Sequence, residues 1–388
     1  MSRSVRVILI ALATACASTV LASAQATSSS TDNSATGSSG PVALVYVSSN
    51  PSGSTYQIQA YFAAPNGALT AGQKLDVSTN LSYMAVNRHD LFATDGVNVD
   101  SFAISPSDGA LTEVSSINAQ ALGGGCGGPI TLFLDRTGET LYDVDYLGGS
   151  CANNAYQTLA VESEGTLNYM GAATVSPAFT TPLSFLGNNK YAYSATCYHF
   201  DPEVYGFARN ADRSLTELNI VPAMPPGKTG QEYCPWLAAA DATNHLAVGM
   251  SPIFDSNWQP AGPNQLGVYT ADSEGNLTTI STHANMPVVA VGNVNAMEAS
   301  PSGKLLAVAG IGGLQVFHFN GAAPITRYTG MLTTDTISEV FWDNSNHLYG
   351  LSPSAGKLYV FTVTPTSVKQ APGSPYAITQ PTSLAVLP

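Results

Sequence analysis

The chain has 388 residues, only 10% of them charged, with 35 Gly, 24 Pro and a formal net charge of −13. That composition suits many short strands joined by tight turns and excludes long, salt-bridged helices. The acidity repels phosphate backbones, so nucleic acid is excluded as a partner.

Met1–Ala26 is predicted to be an export signal. Arg3 and Arg6 form its basic start, Val7–Ala15 its apolar stretch, and Ala22-Ser23-Ala24 or Ala24-Gln25-Ala26 a small-residue cleavage site. The apolar run is too short to span a bilayer, so no transmembrane segment is expected. Lipid attachment at Cys16 is disfavoured, because Leu12 stands one position too far from the cysteine. Residues 27–40, rich in Ser, Thr, Gly and Asn, read as a flexible tether, and 41–388 as a single domain.

Within that domain one phrase recurs: a strand end, a small polar turn, then Leu, Ile or Val, mostly followed by Thr. Its apolar anchors are Leu69, Leu111, Leu167, Leu215, Leu277, Ile325 and Val368. A repeat of roughly 40–50 residues between apolar alternations marks a β-propeller blade. Val42–Val47 reads as a second strand and Tyr56–Phe62 as a third, so the first blade lacks its innermost strand. Thr382–Val386 at the other end supplies it. The expectation is an all-β, seven-bladed propeller of four-stranded antiparallel blades, closed by a C-terminal strand pairing with the N-terminal blade.

With strands a to d numbered outward from the channel, blade three reads as Ile130–Leu134, Thr140–Tyr146 and Tyr156–Val161 for a to c. Blade five reads as Trp236–Ala240, His245–Gly249 and Leu266–Thr270. Blade six reads as Ala296–Ala299, Lys304–Ala309, Leu314–Phe319 and Ile325–Gly330. The a–b and c–d turns are short and share one rim. The long segments Gln120–Pro129, Leu147–Ala155, Thr196–Glu203, Ala223–Pro235 and Ser251–Gln265 are d–a and b–c loops on the opposite rim. Cys126, Cys151, Cys197 and Cys234 all fall there. An even count in an exported chain points to two disulfides, and Cys126–Cys151 with Cys197–Cys234 is the preferred pairing, each joining a d–a to a b–c loop. Metal ligation is disfavoured because no C-x-x-C or Cys/His spacing is present.

Loops on a rigid scaffold carry function, so the long-loop rim is where a site is expected. His199 stands in Cys197-Tyr198-His199-Phe200-Asp201-Pro202-Glu203, where an imidazole near two carboxylates can act as a general base or a metal ligand. Asp143 and Asp145 alternate on strand b of blade three and share one side of it. They could hold Ca²⁺ or position a water, although no dense D-x-D-x-D-G ligand loop follows and structural hydrogen bonding is favoured. The catalytic candidates are therefore His199, Asp201, Glu203 and Asp145. Tyr146, Tyr198, Glu232, Tyr233, Trp236 and Trp258 are candidate ligand-binding residues, aromatic and acidic groups on the same rim. His89, His245 and His347 read as solvated turn residues on the plain rim. His318 is a strand residue, and His283 ends a d strand within reach of the elaborated rim. No metal and no cofactor are expected. The partner is an unknown small molecule, carbohydrate or protein on the long-loop face, and the chain is expected to be a monomer.

Val45-Tyr46-Val47-Ser48-Ser49-Asn50, the Ser300-Pro301-Ser302-Gly303 turn before Leu305-Leu306-Ala307-Val308-Ala309, and the Gly-x-Leu-Thr turns resemble the lactonase-like propellers around 6-phosphogluconolactonase and the related YVTN-type repeats. The resemblance covers most of 42–388 and implies the seven-bladed fold. It also implies, as the alternative to an exported binding scaffold, lactone hydrolysis by carboxylate- or His-assisted water attack. Members of that group often carry Pro-His at the start of one strand a and Asp-Leu-Gly after strand b. Here Gly128-Pro129-Ile130 occupies the first place and Asp145-Tyr146-Leu147-Gly148 resembles the second with one extra residue.

Overall fold

The computed structural model describes residues 40–122, 128–146, 154–175, 181–198, 201–254 and 256–388, without the side chains of 129, 130, 145, 146, 154, 175, 198 and 201. These residues form seven antiparallel sheets around a central channel. Blade 1 takes strand a from Pro381–Leu387 and strands b to d from Ala43–Ser49, Tyr56–Ala63 and Leu69–Val77. The pairing of Leu44 with Leu387 through Ser49 with Pro381 closes the ring as expected. Blades 2 to 7 follow in chain order, their innermost strands being Tyr83–Val86, Gly128–Leu134, Ser184–Phe185, Gln231–Ala240, Val294–Ala299 and Glu339–Trp342. Blade 7 adds a short fifth strand, Tyr376–Ala377, on Lys357–Leu358.

The repeated phrase has a clear structural role. Leu69, Leu111, Leu167, Leu215 and Leu277 each open a strand d. Two residues before each, the backbone turns through positive φ: Gly67, Gly109, Gly165, Arg213 and Gly275. That conformation lets the c–d turn lie flat on strand b of the preceding blade. Tyr46, Tyr142 and Tyr193 of blades 1, 3 and 4 donate their hydroxyls to the carbonyls of Gly109, Arg213 and Gly275 in the following blades, at 3.1, 2.9 and 2.7 Å. The same docking carries the turn of blade 1 onto His347 and that of blade 6 onto His245.

His347 is therefore not a solvated turn residue. It is fully buried, its Nδ1 2.7 Å from Asp343 Oδ2, and Tyr349 donates to that same oxygen. His245 is likewise paired with Asp241 at 2.8 Å. In both turns the first aspartate also accepts backbone N–H groups two and four residues on, so the imidazole completes a local cap. Asp143 is fully buried between strands a and c of blade 3, opposite Leu132 and Gln157.

The core lies between blades rather than within one. Tyr46, Ile58 and Ala60 of blade 1 pack with Met84, Leu91 and Phe102 of blade 2, and equivalent layers recur around the ring. In blade 6 strand d is only Thr326–Arg327, shorter than the Ile325–Gly330 expected, because the apolar alternation ends at the buried anchor Ile325.

In two blades the strands run into segments expected to be loops. In blade 5, Gln231–Ala240 pairs with His245–Phe254, so the last five residues of one expected loop and the first four of the other form a β-ribbon. In blade 4, Tyr191–Tyr198 pairs with Asp201–Arg209 down to Cys197 opposite Pro202. The expected Thr196–Glu203 loop is thus a hairpin end. Pro202 is tolerated there because the outer strand Leu215–Leu218 reaches only Gly206–Arg209, so no N–H is needed.

The channel, about 890 Å³, is lined by all seven innermost strands and carries Arg136, Glu298 and Glu339. Arg136 donates to the carbonyls of Phe185, Ala240 and Asp241, tying blade 3 to blades 4 and 5. Glu339 Oε2 accepts from the Leu384 amide at 2.7 Å and the Ser383 hydroxyl at 3.2 Å, latching the closing strand to blade 7. Burial pushes the Glu339 carboxyl up to about 8, against those two hydrogen bonds.

At Gly165 an added Cβ would lie 2.3 Å from Asp90 Oδ1 in a positive-φ turn, whereas at Gly53 it meets nothing. Gly53→Ala is expected to cost about 1 kcal/mol and Gly165→Ala roughly 2–4 kcal/mol by denaturant melts. The raised Glu339 makes the folded state bind a proton more tightly than the unfolded chain, so its contribution is fully present below about pH 4.5 and is lost as pH rises through about 8. Glu339→Gln keeps an acceptor for Leu384 and removes the titration. Its melting temperature is expected to fall less than that of wild type between pH 5 and 9.

Candidate functional site

Blade 5 places an unusual side chain at the channel mouth. Its strand a pairs Pro235 with Met250 and Leu237 with Gly249, leaving Trp236 as the extra residue of a bulge. A bulge re-aims the residue it leaves unpaired. Trp236 consequently turns out of the sheet and is 45% exposed, between buried Pro235 and half-buried Leu237. The same device recurs at this end of other innermost strands. Ile130 follows Pro129 in blade 3, Asn295 follows Val294 in blade 6, and Thr382 follows Pro381 in blade 1. Proline suits the position because the ladder there requires no N–H from it.

Beside Trp236 lies a cavity of about 830 Å³, built from blades 4, 5 and 6 on the long-loop face. Trp236, Trp258, Ile253 and the Cys197–Cys234 disulfide form its apolar wall. Ser251, Asn264, Asn293, Asn295 and Thr181 supply hydroxyls and amides. Thr181, Leu237 and Asn295 also line the channel, so the two spaces meet at the mouth. No ionisable side chain occurs among the described lining residues.

The polar groups are ordered. Trp236 Nε1 donates to Ser251 Oγ at 2.9 Å, Ser251 donates to Asn264 Oδ1, and Asn264 Nδ2 donates to the Gly292 carbonyl at 2.7 Å. Asn295 Nδ2 donates to the Ile337 carbonyl at 3.0 Å. Trp258 holds a left-handed backbone, φ +59°, in a tight turn where its N–H bonds the Phe254 carbonyl at 2.8 Å. Its ring packs on the disulfide and Ile253.

Of the aromatic and acidic residues expected at this rim, Trp236 and Trp258 line the cavity. Glu232 is exposed on the blade 5 ribbon. Tyr233 is 1% exposed; its hydroxyl donates to Gln265 Oε1 at 2.7 Å and lies 2.9 Å from His283 Nδ1, and burial pushes it up to about 12. Glu203 is half-buried on strand c of blade 4, opposite Thr196. Asp201 pairs with Tyr198 at the end of that hairpin, and Asp145 and Tyr146 end strand b of blade 3 opposite Pro129 and Gly128. The side chains of Asp145, Tyr146, Tyr198 and Asp201, and all of His199, Cys126 and Cys151, lie outside the described residues. The polar lining and the channel trio Arg136, Glu298 and Glu339 were not anticipated. The recurring Pro-x step at the start of strand a was the legible signal for the bulges.

The fold has well-defined relatives among solved structures. A "putative 6-phosphogluconolactonase" from Bacteroides fragilis superposes with a TM-score of 0.67 at 14% identity, over 92% of this chain and 100% of that one. One of the same name from Bacteroides uniformis also gives 0.67 at 14% identity, over 89% and 99%. A Lactobacillus plantarum protein gives 0.64 at 14% identity, over 90% and 100%. The chain shares their propeller fold. No family model matches the sequence, and no curated protein matches it either. At this identity the likeness is one of architecture, and the cavity chemistry must be read from this chain's own residues.

The disulfide ties strand b of blade 4 to strand a of blade 5 across a separation of 37 residues, with Cα atoms 5.2 Å apart. Closing a loop of that length stabilises by roughly 3–4 kcal/mol in the chain-entropy picture. Cys197→Ser with Cys234→Ser is expected to lower denaturant stability by about that amount. Because both cysteines line the cavity, the loss should be accompanied by a shift in tryptophan emission.

Proposed function

We propose that this protein is an exported, monomeric binding propeller that takes an uncharged small molecule in the long-loop-face cavity, without a cofactor and without nucleic acid. The observation that carries this reading is the lining: two tryptophans, a disulfide, and hydroxyl and amide groups, with no ionisable side chain among the described residues. A phosphorylated ligand is recognised by cationic donors, and here it would face a neutral wall on a protein of net charge −13. The disulfide suits an oxidising compartment, and among the described residues no helix is long and apolar enough to cross a membrane. The disulfide supports export with removal of Met1–Ala26 as a signal, leaving 27–40 as a tether, and is the reason to expect a second one, Cys126–Cys151.

A second reading is lactone hydrolysis, favoured by the names of the similar structures and by the position of Cys197 in the cavity wall, two residues before His199. In that reading His199 or one of Asp201, Glu203 and Asp145 removes a proton from water as its oxygen attacks the lactone carbonyl; the bond from that carbon to the ring oxygen then breaks, and the ring oxygen takes the proton back from the base as the hydroxyl of the open acid.

Calorimetry on the mature protein separates the two. The binding reading expects uptake of neutral ligands and none of sugar phosphates, with no turnover of a lactone panel. Lactone turnover abolished by His199→Ala or Asp145→Asn would overturn it in favour of hydrolysis. Export is checked by the N-terminus of the secreted chain, expected at Gln25 or Thr27, and the second disulfide by a non-reducing peptide map.

A further inference from the structure

The way Trp236 is held narrows the class of ligand. Its indole sits on a bulge after a proline, so the backbone beneath it has little freedom. Its only hydrogen-bonding atom is already committed to Ser251, which is committed in turn to Asn264 and through it to the Gly292 carbonyl of the next segment. The indole is therefore gripped by its edge, and it remains 45% exposed in a cavity wall. An edge-held, preorganised ring offers a ligand its face. That face is the electron-rich side of the aromatic quadrupole and attracts weakly positive C–H groups. Around it stand amide groups that can both donate and accept: Asn293, exposed beside Gly292, and Asn295, whose carbonyl oxygen is left over after its amide bonds Ile337. A ligand with a flat array of C–H bonds on one side and hydroxyls around its rim satisfies both kinds of surface. Trp258, held in a left-handed turn against the disulfide, adds a second aromatic boundary.

Resting on the uncharged-ligand reading above, we propose that the cavity is a saccharide site: a neutral pyranose stacks on Trp236, with its hydroxyls on Asn293 and Asn295. Ser251 and Asn264 are positioning residues, which fix the plane of the indole before ligand arrives. Preorganisation of this kind lowers the ordering cost of binding.

The test uses the purified mature chain with its disulfides intact. Glucose, N-acetylglucosamine, and α- and β-linked oligomers of each are titrated by calorimetry and by tryptophan fluorescence, in parallel with the uncharged non-sugar probes Nile red and cyclohexanol. At least one saccharide is expected to bind, with Trp236→Ala weakening it about ten-fold or more and Trp236→Phe by only a few-fold. Ser251→Ala is expected to weaken it roughly three- to ten-fold with a changed tryptophan emission, and Ser251→Thr to restore both. Circular dichroism and melting show that each variant is folded. If the non-sugar probes bind in a Trp236-dependent manner and every saccharide is silent, the saccharide inference is overturned while the uncharged-ligand reading survives. If both sets are silent, both are overturned. Saccharide binding that ignores Trp236→Ala would also sink the assignment, because it would place the sugar elsewhere.

Discussion

The ring depends on one contact made repeatedly: in blades 1 to 6 the c–d turn lies on strand b of the blade before it. A sheet of four short strands cannot bury its faces alone, so stability must come from the layers between blades. In blades 1 to 5 the left-handed residue two places before the apolar anchor brings the turn close enough to seal that layer. The hydroxyls of Tyr46, Tyr142 and Tyr193 then meet the turned carbonyls of Gly109, Arg213 and Gly275 instead of being buried unsatisfied. Where glycine is replaced by Arg213, the backbone keeps its positive φ of 72° at some steric cost. Arg213 partly offsets that cost by donating to the Glu139 carbonyl of the preceding blade.

A second constraint arises at the centre. Each innermost strand has one edge with no ladder partner, and a bare edge invites foreign pairing. The molecule answers with side chains that cross between blades. Glu339 reaches Leu384 and Ser383, Asn295 reaches Ile337, Trp342 reaches Glu298, and Arg136 spans to Phe185 and Ala240. On the other edge of these strands, bulges in the a–b ladders at the long-loop end turn single residues toward the mouth. In blade 5 that residue is tryptophan, in blade 6 asparagine and in blade 1 threonine.

The features that were legible in the sequence are those that depend on local repetition. The anchors, the missing first strand and its replacement at the C-terminus required only the period and the alternation, and the structure agrees with them. The Cys197–Cys234 pairing was reached by sorting loops onto faces, yet both cysteines lie on strands. Pro202 and Pro235 made those stretches look like loops. Whether a proline breaks a strand depends on whether a partner needs its N–H, and that is a property of the neighbouring strand. His347 was misread for a related reason. Its own turn is short and polar, and only the incoming turn of blade 1 buries it. The cavity lining was illegible because it draws on three blades, and single Ser and Asn residues carry no spacing signal.

The charges of this molecule are partitioned in a way that bears on its chemistry. Arg136, Glu298 and Glu339 stand in the channel, where burial pushes both carboxyls up to about 8, with Arg136 partly countering the shift at Glu298. Groups so perturbed are often found at reactive centres, but structural networks perturb them as well. Glu339 already holds the closing strand, and Arg136 already holds three backbone carbonyls, so two of the three have structural work that accounts for their burial. The described lining of the long-loop cavity, by contrast, carries no charge but contains two tryptophans and an ordered hydroxyl–amide chain. Desolvating such a wall costs little beyond its few polar groups, each of which a hydroxylated ligand can satisfy again. The acidic character of the whole protein therefore need not disfavour a ligand there, provided that the ligand is itself uncharged.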